Sequence, residues 1–243
     1  MTKEIQVNGN TVWTDDSLEH RWYDAVGPNV CKLLEEFVNL PMSAADQPGA
    51  YLATLIEGGA GETVGALVAG SVGGTFLITC DIADNDGYNC QLDGEAYYLA
   101  TRYPTYFGAR WKGSEVIQCE FAFGLIISTT DFLLNGGTDG LYFRSPDGYN
   151  TLYLVAEKNS IETVIGCGAL VDDTYITTEF LRGTDGVVHA YVNGIEVAQL
   201  ADSDPNFPDD EYLTPTFAIL AGEVTNVKTM TVDWIRCIQV QAV

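Results

Sequence analysis

Short runs in which apolar and polar residues alternate make up most of the chain after residue 50, and clusters of Gly, Asp and Asn separate them. In Tyr106–Trp111 and Thr229–Arg236, side chains at i, i+2 and i+4 lie on one face of an extended strand. One face is apolar and the other polar, as in an antiparallel sheet that covers a core. About fourteen such strands are recognisable, and the lack of intervening helical patterns excludes parallel βαβ units.

The clearest local signal is a pair of turns in the segment 180–197. Asp185-Gly186 and Asn193-Gly194 have the sequence of two-residue type I′ turns, in which both central residues take positive φ. The alternating residues on either side predict three strands that meander through two tight hairpins.

The first 45 residues follow a different pattern. Apolar residues at positions 30, 33, 34, 37 and 38 have the spacing of one helical face, and Pro41 ends this pattern. We therefore expect a helix near 29–39 within an N-terminal arm or cap (residues 1–45), followed by a β-sandwich (residues 46–243). An amphipathic arm of this kind either covers its own sandwich or docks on a neighbouring subunit, and the sequence leaves both open.

Three passages together resemble the concanavalin A-like and laminin G-like jelly rolls. They are the hairpins of 180–197, the strand pair Tyr106–Trp111 and Phe121–Leu125, and the closing strand Met230–Arg236. The resemblance covers residues 50–243 and implies an all-β, two-sheet antiparallel jelly-roll sandwich. Each passage is a pattern of strands and turns without chemical ligands, so the resemblance implies a fold and leaves the function open.

Charge narrows the choice of partners. The 243 residues include 34 Asp and Glu against 11 Lys and Arg, a formal net charge of −23, which repels nucleic acid and anionic membranes. The N-terminus has no apolar signal-peptide core, and no run of about 20 apolar residues is present to span a bilayer. We expect synthesis in the cytosol without a signal peptide, and no nucleic-acid or membrane partner. The six cysteines include no CxxC pair, so free thiols are expected.

The carboxylates and histidines form no recognisable catalytic pattern. Glu120 lies on a predicted strand, but its i+2 and i+4 neighbours are Ala122 and Gly124, so that strand lacks the carboxylate pair of a glycoside hydrolase. The histidines are His20 and His189, and His189 is interpreted as a hydrogen-bonded strand histidine rather than a lyase base. The sequence thus predicts no enzyme and assigns no catalytic, cofactor-binding or metal-binding residue.

Two further features bear on ligands. Asp81–Gly87 gathers hard oxygen ligands on a turn, which makes calcium a candidate, but the full EF-hand spacing is absent and hydrogen bonding within an acidic turn is favoured. The acidic run Asp202–Glu211 is likewise interpreted as a solvated loop. Aromatic residues crowd 97–111 and 142–153 and offer a platform for a sugar ring, although core packing is their favoured use.

The function predicted from these features is structural. A missing secretion signal, an acidic surface and an added N-terminal arm resemble the jelly-roll proteins that decorate the capsids of tailed bacteriophages. That resemblance implies a non-catalytic virion surface protein, made in the host cytoplasm, that forms homo-oligomers and binds capsid or tail proteins. The alternative is a lectin-like carbohydrate-binding module with a glycan partner. A glycoside hydrolase or polysaccharide lyase is the third hypothesis.

Overall fold

Two antiparallel β-sheets packed face to face form the body of the protein, which confirms the predicted all-β sandwich. The computed structural model describes residues 1–38, 42–44, 47–48, 51–59, 61–100 and 102–241. The predicted boundary between arm and sandwich at residue 45 lies outside the described residues and stays a prediction. No helix in the described part of the chain is long and apolar enough to cross a membrane.

The strands follow one another closely along the chain. The first eleven are β1 (Thr2–Val7), β2 (Asn10–Asp15), β3 (Trp22–Val26), β4 (Val30–Glu35), β5 (Met42–Ala44), β6 (Gln47–Pro48), β7 (Tyr51–Ile56), β8 (Val64–Leu67), β9 (Phe76–Cys80), β10 (Gly87–Leu92) and β11 (Tyr97–Tyr98). The others are β12 (Thr105–Gly113), β13 (Cys119–Ile126), β14 (Gly140–Ser145), β15 (Thr151–Lys158), β16 (Ile161–Ala169), β17 (Ile176–Arg182), β18 (Val187–Val192), β19 (Ile195–Ala201), β20 (Tyr212–Ala221) and β21 (Lys228–Val240). A 3₁₀ turn (Val116–Gln118) precedes β13, and a short helix, α1 (Phe132–Asn135), follows it.

The core lies between two sheets of eight strands each. Sheet I has the order β16-β15-β14-β13-β20-β10-β7, with β11 also paired to β20, and sheet II has the order β19-β18-β17-β12-β21-β9-β8, with β4 also paired to β21. Phe107, Ala109 and Trp111 all point into the core, as their alternation predicted. Trp111 of sheet II stacks on Phe123 of sheet I with ring centroids 4.5 Å apart. All six cysteines are free thiols, as expected.

The helix predicted near 29–39 is not formed, because Val30–Glu35 is strand β4, antiparallel to β21. Cys31 and Leu33 pack against the core and Phe37 is buried in it, so the run follows a two-residue period. Strand β9 pairs with β21 only over residues 228–232, and β4 supplies the ladder partner for residues 235–240. The open edge of β21 therefore overrides the helical spacing, since a short apolar run fits either period.

The N-terminal strands β1, β2 and β3 form a third sheet, which packs on the outer face of sheet II. Val12 and Trp22 contact Tyr106 and Ile238, whose side chains point away from the sandwich core. This second apolar cluster fixes the N-terminal sheet to its own sandwich, which is one of the two placements that the sequence left open.

The two predicted hairpin turns differ in outcome. At Asn193-Gly194 both residues have positive φ, 51° and 80°, as a type I′ turn requires. The two-residue turn predicted at Asp185-Gly186 is not formed, because residues 183–186 make a longer loop between β17 and β18. The Asp185 carboxylate accepts a hydrogen bond from the Val187 amide and contacts His189, which holds Asp185 outside the left-handed region.

The segment 127–139, which includes α1, folds over the outer face of sheet I. Two buried amides of β10, Asn89 and Gln91, donate to backbone carbonyls of this segment at 2.8 and 3.1 Å. Phe132 packs edge-on against Tyr142 with ring centroids 4.9 Å apart. The segment thereby forms one wall of a pocket on this face.

Candidate functional site

Five polar side chains from four neighbouring strands gather on the outer face of sheet I. They are Glu120 (β13), Tyr142 and Arg144 (β14), Glu157 (β15) and Glu162 (β16). The antiparallel ladders align these strands, and the alternate residues Phe121, Phe143 and Leu154 point into the core. Because side chains alternate along a strand, the polar residues must share the opposite face.

Arg144 and Glu162 form a bidentate ion pair at the centre of this group. The guanidinium Nη1 and Nη2 lie 2.7 and 2.9 Å from the two carboxylate oxygens. The Tyr142 hydroxyl donates to Glu157 Oε2 at 2.9 Å. Arg144 Nε is buried and finds no hydrogen-bond partner among the described residues. A buried donor without a partner is costly, so the site has one strong donor to offer to a ligand or water.

Burial makes two of the carboxyl groups weaker acids. It raises the pKa of Glu120 to about 7, although the positive charge of Arg144 acts in the opposite direction. Burial also raises the pKa of Glu157. Near neutral pH, Glu120 therefore exchanges between its acid and its carboxylate form, beside a Glu162 carboxylate that is paired with arginine.

The pocket between these groups has a volume of about 70 Å³. Its apolar wall consists of Phe132 and Leu133 of α1 and the two glycines that follow. A Cβ atom at Gly137 would lie 2.9 Å from the Phe132 ring, so this wall approaches closely only because the residue is glycine. Charged groups thus face an apolar wall in one small concave site.

Sequence reasoning found Glu120 and missed its partners. On its own strand, the positions that would carry a second carboxylate hold Ala122 and Gly124, and both are buried. The partners come from the β15–β16 hairpin, whose tight turn places Glu157 directly opposite Glu162. Like charges facing each other across two strands are unfavourable, and that pairing was the one signal in the sequence.

The structure places both histidines at sheet II, away from this pocket. His189 Nδ1 lies 2.9 Å from Glu196 and Nε2 lies 3.0 Å from Asp185, as expected for a hydrogen-bonded strand histidine. His20 belongs to the N-terminal segment, and its ring stacks on Tyr191 with centroids 3.5 Å apart.

The acidic segments are held by internal hydrogen bonds and ion pairs. In Asp81–Gly87, the buried Asp86 accepts a hydrogen bond from the Gly58 amide at 2.7 Å. In the run 202–211, Asp202 pairs with Arg182 at 2.6 Å. Nowhere in the described part of the chain do three His, Cys, Asp or Glu side chains gather in a way that could hold a metal ion. The calcium suggested by the sequence therefore gains no ligand set there.

The crowded aromatic residues divide between core and surface. Tyr97 and Tyr106 are buried, and Tyr106 lies under the N-terminal sheet. Tyr98 lies 5.0 Å from Tyr212 and 6.1 Å from Tyr103, measured between ring centroids. Tyr142 belongs to the pocket on sheet I. Core packing thus explains the buried tyrosines, whereas Tyr98, Tyr103 and Tyr212 form a partly exposed group.

No protein-family model and no curated protein matches this chain, whereas several solved structures have a similar fold. A protein of unknown function from Shewanella oneidensis MR-1 has a TM-score of 0.61 at 13% identity, over 88% of this chain and 87% of that one. An endo-1,3-β-glucanase from Streptomyces sioyaensis has a TM-score of 0.58 at 11% identity, over 90% and 99%. The potassium-bound carbohydrate recognition domain of Emp46p has a TM-score of 0.55 at 9% identity, over 84% and 98%. The fold is the concanavalin A-like jelly roll.

The glucanase corrects one prediction. The sequence excluded an enzyme, but the same jelly roll, over 90% of this chain, is the fold of a glucanase. The exclusion had relied on a missing carboxylate pair within one strand, and the pocket on sheet I collects its carboxylates from three strands instead. Identities of 13% or less establish the jelly-roll fold and carry no activity with them.

The predicted capsid-decoration role gains no support from these structures, none of which is described as a virion protein. Homo-oligomers and capsid or tail partners are likewise unsupported. The location at a virion surface stays a prediction. The potassium of the Emp46p structure belongs to that protein.

Proposed function

We propose that this protein binds carbohydrate and that the pocket of Glu120, Tyr142, Arg144, Glu157 and Glu162 is its sugar-binding site. The observation that carries the proposal is the buried Arg144 Nε, a donor without a partner among the described residues, beside carboxyl groups that accept hydrogen bonds. A sugar presents neighbouring hydroxyl groups that both donate and accept. Such a pair can take the free donor and reach a carboxylate oxygen at the same time.

Two further observations support a glycan over the structural role. The pocket has an apolar wall, formed by Phe132 and the partly exposed Leu133, next to its charged groups. Jelly rolls of this fold include a carbohydrate recognition domain and a glucanase. The lectin-like alternative derived from the sequence is therefore preferred to the virion surface protein.

A glycan array followed by calorimetry tests the proposal. We expect a neutral or amino sugar to bind, and Arg144→Ala to weaken that binding at least tenfold, because both the free donor and the partner of Glu162 are lost. Arg236→Ala is the matched control, since Arg236 also pairs with a glutamate, Glu36, but on sheet II. Equal affinities of the two variants would exclude this pocket as the sugar site.

Hydrolysis of a glycosidic bond is a second candidate, and the pKa of about 7 at Glu120 favours it. In this reaction the Glu120 carboxyl gives its proton to the glycosidic oxygen as the C–O bond breaks. A water molecule attacks the anomeric carbon and loses a proton to a second carboxylate, for which Glu162 is the candidate. The products are two shorter sugars, and no further reactant is consumed.

Release of reducing ends from β-glucans and from O-linked glycans tests this second candidate. We expect Glu120→Gln to lower the rate at least a hundredfold and to remove the loss of activity above pH 7, with binding largely retained. Glu62→Gln, at an exposed position, is the control. If the protein binds sugar but releases no reducing ends, the sugar-binding function stands and hydrolysis is rejected.

A further inference from the structure

A second, larger groove runs along the junction between the N-terminal sheet and the loop 183–186. It consists of two adjoining depressions of about 420 and 310 Å³, which share Gly183 and Thr184. Each exceeds the volume of the pocket on sheet I several times. We propose that this groove is a separate binding site for an uncharged oligosaccharide chain.

Apolar side chains take part in both depressions of the groove. In the first depression, the stacked rings of His20 and Tyr191 lie beside Leu181, with the two ring planes only 5° apart. In the second depression, the buried Trp22 and Pro104 form the floor. The partly exposed edge of the first depression matches the C–H face of a sugar ring, and two adjoining depressions suit a chain rather than a single sugar.

Polar side chains that can bond to hydroxyl groups line the same groove. Gln6, Asn8 and Thr184 are exposed there and provide both donors and acceptors. Asp185 and Glu19 add carboxylate acceptors in the first depression. This combination of uncharged amides, a hydroxyl and acceptors suits a ligand that is rich in hydroxyl groups.

The walls of the groove are fixed before any ligand binds. Arg21, next to His20 in sequence, donates to both oxygens of the fully buried Glu179 at 2.5 Å, and the Tyr106 hydroxyl donates to the same carboxylate at 2.9 Å. On the other wall, His189 is held between Asp185 and Glu196. A site built in advance loses less entropy on binding, which favours a weakly interacting ligand such as a neutral glycan.

Charge selects among the ligands that the groove can hold. A protein of net charge −23, with Glu19 and Asp185 in the groove, repels uronic acids, sialic acids and phosphates. A basic peptide is disfavoured as well, because Glu19 already pairs with Lys3 and Asp185 with His189. The uncharged oligosaccharide remains, and this choice of ligand class rests on the proposed carbohydrate-binding function.

Affinity electrophoresis of the full chain tests the inference, with native gels that contain a soluble β-1,3-glucan, a mannan or polygalacturonate. We expect retardation by at least one of the two neutral polysaccharides and none by polygalacturonate. Tyr191→Ala and Thr184→Trp are each expected to weaken retardation at least tenfold. The second variant fills the groove from an exposed loop position, so it tests the site even if Tyr191→Ala fails to fold. The control is Tyr149→Ala. Tyr149 lies between β14 and β15 of sheet I, away from the groove, and is 64% exposed, so this variant shows the effect of losing an exposed tyrosine elsewhere.

The variants separate this inference from the proposed function. Retardation that survives Arg144→Ala but is lost in both groove variants supports the groove, even if the pocket on sheet I binds nothing. Retardation that is lost in Arg144→Ala and unchanged in the groove variants overturns the groove and leaves the proposed function intact. No retardation by either neutral polysaccharide, or binding of an oligolysine peptide that Thr184→Trp abolishes, also overturns it.

Discussion

Arg21 and Glu179 join the N-terminal sheet to sheet II through two hydrogen bonds of 2.5 Å. The Glu179 side chain is fully buried, whereas that of Arg21 is 19% exposed. Burial alone would raise the pKa of Glu179, but the hydrogen bonds from Arg21 and Tyr106 and the positive charge of Arg21 outweigh it and lower the pKa. The pair therefore sets the position of the sheet that forms one wall of the larger groove.

We predict that Arg21→Ala destabilises the protein by about 3–5 kcal/mol at neutral pH, because it leaves a buried carboxylate without its cation. Urea unfolding measures this loss. The destabilisation should shrink as the pH falls toward 4, since a Glu179 without Arg21 regains its proton more readily. Lys3→Ala, which breaks the exposed pair with Glu19, should cost at most about 1 kcal/mol. Equal losses in the two variants would show that the Arg21 pair contributes no more than a surface salt bridge.

A second prediction concerns the pH dependence that Glu120 imposes. Its pKa of about 7 in the folded state lies above the ordinary value of 4.5, so between these values the native state binds more protons than the unfolded chain. Stability must then fall as the pH rises through this window, by an amount on the order of 2–3 kcal/mol. In Glu120→Gln this fall should disappear, and the variant should be more stable than the parent at pH 8.

The measurement is urea unfolding of the parent, Glu120→Gln and the exposed-site control Glu62→Gln at pH 5 and pH 8. The difference between the parent and Glu62→Gln should stay constant with pH. If the parent and Glu120→Gln keep a constant difference too, Glu120 titrates in its ordinary range and the acid role proposed for it is lost.

Alternation alone was enough to predict the core face of β12, because Phe107, Ala109 and Trp111 repeat at every second position. At Val30–Glu35 alternation also holds, but the short run fits a helical face equally well, and only the open edge of β21, distant in sequence, decides the outcome. Local patterns therefore predict where the strands lie in the sequence, but they do not determine which strands pair with each other.

The candidate site was harder to predict because its residues meet across strands. Glu120 and Glu162 lie far apart in the chain and share a face only through the pairing of β13, β14, β15 and β16. The register of each pair fixes which side chains become neighbours, and a slip of one residue would turn Glu162 to the other face. The Glu157–Glu162 pair within one hairpin can be inferred from the sequence, whereas its meeting with Glu120 depends on the pairing of strands that are distant in the chain.

The last prediction concerns His189, one wall of the larger groove. Burial lowers its pKa, but hydrogen bonds with Glu196 and Asp185 outweigh burial and raise it above the ordinary 6.5. Its ion pairs therefore stabilise the fold fully below pH 6.5 and lose this effect as the pH rises through the folded-state pKa. NMR titration of the ring proton should give a midpoint above 6.5 in the parent and a lower one in the double variant Asp185→Asn, Glu196→Gln. A midpoint unchanged by the double variant would mean that these carboxylates do not hold the imidazolium, and the wall of the groove would lack the rigidity argued for it.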